Sequence, residues 1–415
     1  MTDTTNQGVR NRRIVIVGAG PGGLMAARIL QQAGIPVEVY DSDAAVDARE
    51  QGGTLDIHAD SGQIAIEAAG LSSRFAELAR PESQAHRLLA PDGTVLRDQV
   101  PMTGEDAAPE IDRTQLRQML VDSLEPGTVR WGHRVEEVRD SAVVFTDGSS
   151  VQAALVIGAD GAWSRVRRAL TSEQPRYLGV SMVEALFTAA RTRHPLIAQL
   201  VGDGHMWANG DGKNLVLQRN SQDVIRGYIA VRTSLDWLAE AGLGQSDGRG
   251  RLLDANGTVT TDTEGVRALL GERFADFSPE LRTIITESEG ALPNRPVFAL
   301  PTPMTWQHRP GITLLGDAAH VMAPFGGNGV NLALLDAAEL AQAIITAVRS
   351  GSTLDGAISR YEGIMISRGA RTGEGANTAM IAHYRAGGPD VDSIPDFDDA
   401  AVVWKENAVA YRQSH

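Results

Sequence analysis

The stretch RIVIVGAGPGGLMAARILQQAGIPVEVYD, residues 13–41, narrows the fold more than any other part of the chain. A short β-branched run ends at Gly18, as a strand buried on both faces does. Apolar residues then recur at helical spacing, Leu24, Ala27, Ile29 and Leu30, until Gly34 stops the helix. VEVYD resumes the extended pattern and ends on Asp41. The pattern predicts a βαβ unit. Gly18 permits its tight turn, Gly20 lets backbone approach a pyrophosphate, and Gly23 lets helix pack on strand. The helix N-terminus offers free amides and a positive dipole end to the phosphates. Asp41 stands where an acid accepts hydrogen bonds from an adenosine ribose. NAD and FAD fit these residues equally.

Two later turns separate them. Gly158-Ala159-Asp160-Gly161 follows the apolar run ALVIG, with Ser164 and Arg167 beyond it, and Asp317 ends the run GITLLGD. A nicotinamide dinucleotide has no need of a second and third Asp–Gly device, whereas FAD is longer and carries a ribityl chain of hydroxyls. An Asp ending a buried strand can accept from one of them, a charge-assisted bond worth roughly 1.5–3 kcal/mol. The stretch from Pro324 through Gly327 and Gly329 to Asn331 opens a long apolar helix over 330–348. Its small residues let amides lie against a flat ring. The helix N-terminus points its dipole where a reduced flavin gathers negative charge. His320 reads as a structural residue at a helix start.

The bulk properties agree. The chain has 415 residues, a net charge of −14 and no cysteine. Acidity disfavours nucleic acid and anionic membranes. Lack of cysteine removes disulfides, thiolate metal sites and redox dithiols. The scattered histidines form no metal-ligand spacing. The expectation is a cytoplasmic monomer without a membrane span, since Arg12-Arg13 precedes a nucleotide loop and not an export signal.

Helices are expected over 61–69, 72–78, 112–124, 164–170, 264–274, 279–287 and 354–384, with Asp112 and Gln115 as a capping box. Hairpins are expected over 85–96 and 143–157. Segment 181–231 alternates between turns and predicts antiparallel strands. The fold class is therefore α/β: a discontinuous Rossmann-like FAD-binding domain (1–75, 101–178, 296–350), an inserted mainly antiparallel β-sheet substrate domain (76–100, 179–295), and a C-terminal helical segment (351–415).

With GxGxxG, DG and GD motifs in this order, the chain resembles the class A flavoprotein monooxygenases of the para-hydroxybenzoate hydroxylase type. GGTLDIHADSGQIAIEAAGL (52–71), IDRTQLRQML (111–120) and GDAAHVMAPFGGNGVN (316–331) are most similar to the tetracycline-inactivating flavin monooxygenases. The resemblance implies cofactor contacts by Arg49, Asp56, Arg117 and Asp317, with Arg113 nearby. It places Glu184, His205 and Arg226 where that family sets a Gln, an Arg and a His against the antibiotic. Met206, Gly227 and Pro324 match, with Phe325 beside them. A cross-strand ion pair between Glu184 and Arg226 is the alternative for those two. The implied activity is NAD(P)H- and O₂-dependent hydroxylation of a polycyclic or aromatic substrate through a flavin C4a-hydroperoxide. The flavin carries the chemistry, and no protein residue is named as catalytic. NADPH or NADH docks transiently, because no second GxGxxG follows a strand. A tetracycline-type antibiotic is one expected substrate and a biosynthetic polyketide intermediate another. A flavoprotein that only sequesters such a ligand is the non-enzymatic alternative. A flavin halogenase is set aside because WxWxIP is absent.

Overall fold

The computed structural model describes residues 13–48, 52–102, 104–254, 256–389, 394 and 396–414. Arg49 lies outside the described residues.

A five-stranded sheet runs in the order Ile312–Leu314, Leu155–Gly158, Ile14–Val17, Val37–Tyr40, Val129–Arg130. Every adjacent pair in it is parallel. Its central strands are fully buried because helices cover both faces. Helices Pro21–Gln32 and Asn328–Ser350 pack on it, sharing one core with Leu24, Ile157, Leu314 and Leu340. Asn328–Ser350 is long and apolar enough to cross a membrane, contrary to the expectation that no segment qualifies, but most of it is buried in this core.

The second body is a seven-stranded sheet in the order Asn294–Ala299, Arg176–Phe187, Ile225–Arg232, Lys213–Arg219, His205–Gly210, His86–Leu89, Val95–Gln99. All its pairs are antiparallel except His205–Gly210 with His86–Leu89. The strand Asn294–Ala299 straddles the expected boundary at 295/296. Alternation along the strands gives the sheet two unlike faces. One carries Val183, Met206, Leu215, Leu217 and Ile229 into a core closed by Val266, Leu270 and Leu281. The other meets Met322, Ala323 and Met380. The helix Leu354–His383 runs along this second face, and Phe397–Ser414 closes the described chain.

Four local expectations change. The helix over 164–170 shrinks to a short turn, Arg167–Ala169, because Asp160 takes the amides of Arg165 and Val166. The Asp112–Gln115 capping box does not form. Asp112 turns instead to Arg80 (2.6 Å) and Ser221, tying helix Arg113–Asp122 to the large sheet. The run 151–157 splits: Ser150–Gln152 completes a hairpin while Leu155–Gly158 enters the parallel sheet. Segment 181–231 also holds two short helices, Ala190–Arg193 and Pro195–Val201, which cover the core face.

Candidate active site

The carboxyl ends of the parallel strands carry the three turns side by side, where the strand order reverses and open α/β sheets take ligands. A methyl on Gly18 would overlap the Ala159 carbonyl, and one on Gly23 the Gly18 carbonyl. These glycines exist for close packing. A methyl on Gly20 would meet nothing within 4 Å. Gly20 caps helix Pro21–Gln32 without any side-chain hydrogen bond, so no side chain takes up the first amides of that helix, those of Gly22 and Gly23. That is the cradle a pyrophosphate needs.

Asp41 and Arg117 brace this turn from behind. Asp41 accepts from the Ala19 amide at 2.6 Å and from the Asp43 amide at 2.7 Å. Arg117, buried, donates to the carbonyls of Ala19 (3.0 Å) and Val46 (3.1 Å) and pairs with Asp43 at 3.0 Å. Its guanidinium also lies over Trp131. In this structure the Arg117 donors thus serve the chain's own loop. Asp160 behaves alike: its carboxylate accepts from Ser164 at 2.5 Å and from the Arg165 amide at 2.6 Å. Burial pushes its pKa up against those bonds.

Asp317 differs. It begins the short helix Asp317–His320, its side chain is exposed, and it accepts no hydrogen bond from any described residue. Its carboxyl is nonetheless walled by protein, which raises its pKa against the pull of His320, Arg113 and Arg167. Water reaches the group and protein surrounds it, as in a crevice. Arg113, also exposed, stands near enough to feel its charge. An unpartnered carboxylate and an uncapped helix start, both at the carboxyl ends of one parallel sheet, fit a dinucleotide with hydroxyls along its length. Behind Asp317, buried Asp336 accepts from the Gly316 amide (3.1 Å), from His320 (2.6 Å) and from Arg368 (2.8 Å). His320 is structural, as expected.

The glycine loop follows. Gly326 and Gly327 have φ of 75° and 62°, a region glycine favours. A methyl on Gly327 would overlap the Asp56 carboxylate, and one on Gly329 would touch that of Asp317. Asn331 is buried and bonds the Asp56 carbonyl (2.8 Å), the Gly327 carbonyl (2.9 Å) and the His58 amide (2.8 Å). It shapes the loop from within. Asp56 pairs with His58 at 2.8 Å; burial raises its pKa, but His58 and His205 outweigh that and lower it. Trp404, on the last helix, stacks on His58 at 4.0 Å. Pro324 is exposed, and Phe325 leans edge-on to Trp207 at 6.1 Å.

On the large sheet, Glu184, Arg226 and His205 share the face that meets this loop. Glu184 pairs with Arg295 at 3.0 Å on the neighbouring strand, so its cross-strand partner is not the Arg226 of the alternative reading. Arg226 stands opposite Leu186 and Gln218. His205 bonds Glu110 at 2.7 Å and Gln218 at 3.2 Å. Burial lowers its pKa, but Glu110 and Asp56 reverse the sign and raise it. Met206 is the clearest correction: at 0% exposure it points into the core behind the sheet. One residue of register separates it from the site face. Gly227 is there because a methyl would overlap the Val216 carbonyl. Sequence reading missed Trp207 and Tyr228, at alternate positions from His205 and Arg226, Gln218, which stands opposite both of those residues, and His383 and Tyr384 at the end of helix Leu354–His383.

A family model for the FAD binding domain matches residues 11–245 and 304–370. The monooxygenase penA of Penicillium thymicola is 31% identical over 398 residues, covering 84% of this chain and 90% of penA. The chain belongs to the class A flavoprotein monooxygenases. As such it is an FAD-dependent oxidoreductase. The fold of this monooxygenase also matches Klebsiella pneumoniae HpxO complexed with FAD and uric acid (TM-score 0.71, 21% identity, 96% of this chain and 93% of that one). It matches the tetracycline destructase Tet(51) as well (TM-score 0.62, 19% identity, 97% and 96%). At those identities the likeness speaks of fold alone.

Proposed function

We propose that this monooxygenase uses NADPH or NADH and O₂ to hydroxylate a planar aromatic or polycyclic small molecule. The parallel-sheet body holds FAD, and the large sheet presents its loop-facing side to the substrate. The observation that carries this reading is the pairing of an uncapped helix start at Gly20 and an unpartnered Asp317 with an aromatic wall at the glycine loop, Trp207 from the large sheet against Phe325 beside Gly326-Gly327. Bound FAD supplies the redox chemistry and the activated oxygen.

The chain's own residues bind, orient and shield. The amides after Gly20 take the pyrophosphate, and Asp317 accepts from the ribityl chain. Arg113 balances the phosphates. The glycine loop and the N-terminus of Asn328–Ser350 favour negative charge on the ring edge. The wall of Trp207, Phe325 and Tyr228 and helix Leu354–His383 keep water from the oxygen-transfer step. The uric acid bound to HpxO supports a flat, heteroatom-bearing substrate, and the penA relationship supports a secondary-metabolite ring system. A tetracycline has less support, since the Tet(51) likeness is one of fold and Glu184 is engaged by Arg295.

The test is to load the protein with FAD and follow nicotinamide absorbance while adding aromatic polyketides and tetracyclines. Substrate-dependent oxidation with a product heavier by one oxygen is expected. Ligand binding without nicotinamide oxidation would favour sequestration.

A further inference from the structure

Helix Leu354–His383 ends against the loop-facing side of the large sheet, and a chain of hydrogen bonds there fixes one proton. The Tyr384 hydroxyl donates to Asn214 Oδ1 at 2.6 Å. That separation suits O–H···O and is short for an amide N–H, so the Asn214 oxygen faces Tyr384. Its Nδ2 then faces His383 Nε2 at 3.2 Å and donates to it. Burial lowers the His383 pKa to about 4, so the imidazole is neutral near pH 7. A neutral imidazole that accepts at Nε2 carries its proton on Nδ1. No described residue accepts from that Nδ1.

The surroundings say what would. The His383 ring lies edge-on to Phe325 at 5.3 Å and to Trp207 at 5.5 Å. Phe325 belongs to the glycine loop, so the donor stands one ring away from it. Two further side chains flank Trp207 with buried polar atoms lacking partners: the amide of Asn209 and both ring nitrogens of His86. Buried polar atoms are paired as a rule, and exceptions ask for a ligand or a water. Aromatic walls with a few fixed polar groups are how pockets orient flat ligands.

We propose that His383 is a substrate-recognition residue whose Nδ1–H donates a hydrogen bond to a carbonyl or hydroxyl oxygen on a planar ring seated against Trp207 and Phe325. This rests on the hydroxylase reading for the identity of the ring. Asn214 and Tyr384 are positioning residues that set the tautomer.

The test uses the FAD-loaded full chain and two planar tricyclic probes, xanthone, which has a ring carbonyl, and xanthene, which lacks it. Dissociation constants are read from flavin absorbance and tryptophan quenching. Wild type is expected to bind xanthone about tenfold more tightly than xanthene, as one net hydrogen bond gives. His383→Phe keeps a ring but no donor and should erase that preference, leaving xanthene binding unchanged. His383→Gln restores a donor and should recover part of it. FAD content and the unfolding midpoint check that each variant is folded. Equal weakening of both probes in His383→Phe would mean packing only and overturn the proposal. So would an unchanged preference, or a wild type that prefers neither probe or binds neither. Failure of every candidate to drive nicotinamide oxidation would instead strike the hydroxylase reading, and the probe ratio would still decide the role of His383.

Discussion

Asp317 carries the sharpest single-residue expectation, because its carboxylate has no partner within the described chain. Asp317→Asn should weaken FAD binding by roughly 1.5–3 kcal/mol, a factor of tens, with little change in unfolding midpoint. Equilibrium dialysis of the flavin measures it, and unchanged affinity would remove Asp317 from the cofactor site. Gly327→Ala should behave differently. Its φ of 62° disfavours a side chain, and the methyl meets Asp56. A loss of about 1–3 kcal/mol in stability together with poorer flavin retention is expected, read by urea unfolding and by absorbance after gel filtration. At this scale the sequence was most legible where geometry is local. Gly18 and Gly23 follow from a strand–turn–helix alone. The partners of a carboxylate do not: Asp41 and Asp160 stand at the expected edge but face the amides of their own loops. Met206 was misread because one step along a strand reverses the face.

Among the elements, the helix Phe397–Ser414 is held by the pair of Lys405 with buried Glu105, by the exposed pair Arg412–Glu67, and by ring contacts of Trp404 with His58 and Phe397 with His86. The exposed pair contributes little, whereas the Trp404 stack contributes about 0.5–1.5 kcal/mol. Trp404→Ala should speed proteolytic cleavage and amide exchange within 397–414 about fivefold while the parallel strands keep their protection. Equal acceleration throughout the molecule would contradict this. The helices were legible from 3.6-residue periodicity; Gly34 marked the end of Pro21–Gln32 and Pro279 the start of Pro279–Thr286. The 164–170 segment was not, because the capture of its amides by Asp160 and the burial of Arg167 against the Ala318 carbonyl are tertiary events.

For the whole molecule, buried neutral histidines set a pH dependence. Burial lowers His383 to about 4, and burial with His205 and Arg97 lowers His86 to about 3, both from 6.5. The unfolded chain therefore binds protons first as pH falls through 6.5. Each group then subtracts about 1.4 kcal/mol of stability per pH unit until its folded pKa is reached, and nothing above 6.5. His86→Phe should lessen the stability difference between pH 7 and pH 5 by about 2 kcal/mol in urea unfolding. An unaltered difference would show that His86 is not the titrating group. The two-body plan was legible because parallel strands read as unbroken apolar runs and antiparallel ones alternate. The pairing of His205–Gly210 with His86–Leu89 was not, since nothing local specifies a partner so far away. That pairing has a consequence for biosynthesis. The large sheet draws strands from residue 86 to residue 299, and the parallel sheet takes its edge strand at 312–314. The large sheet is not complete in a nascent chain until residue 299 has been delivered, nor the parallel sheet until residue 314. Because the two sheets interleave along the chain, one body does not finish well before the other begins, so they mature together rather than one after the other.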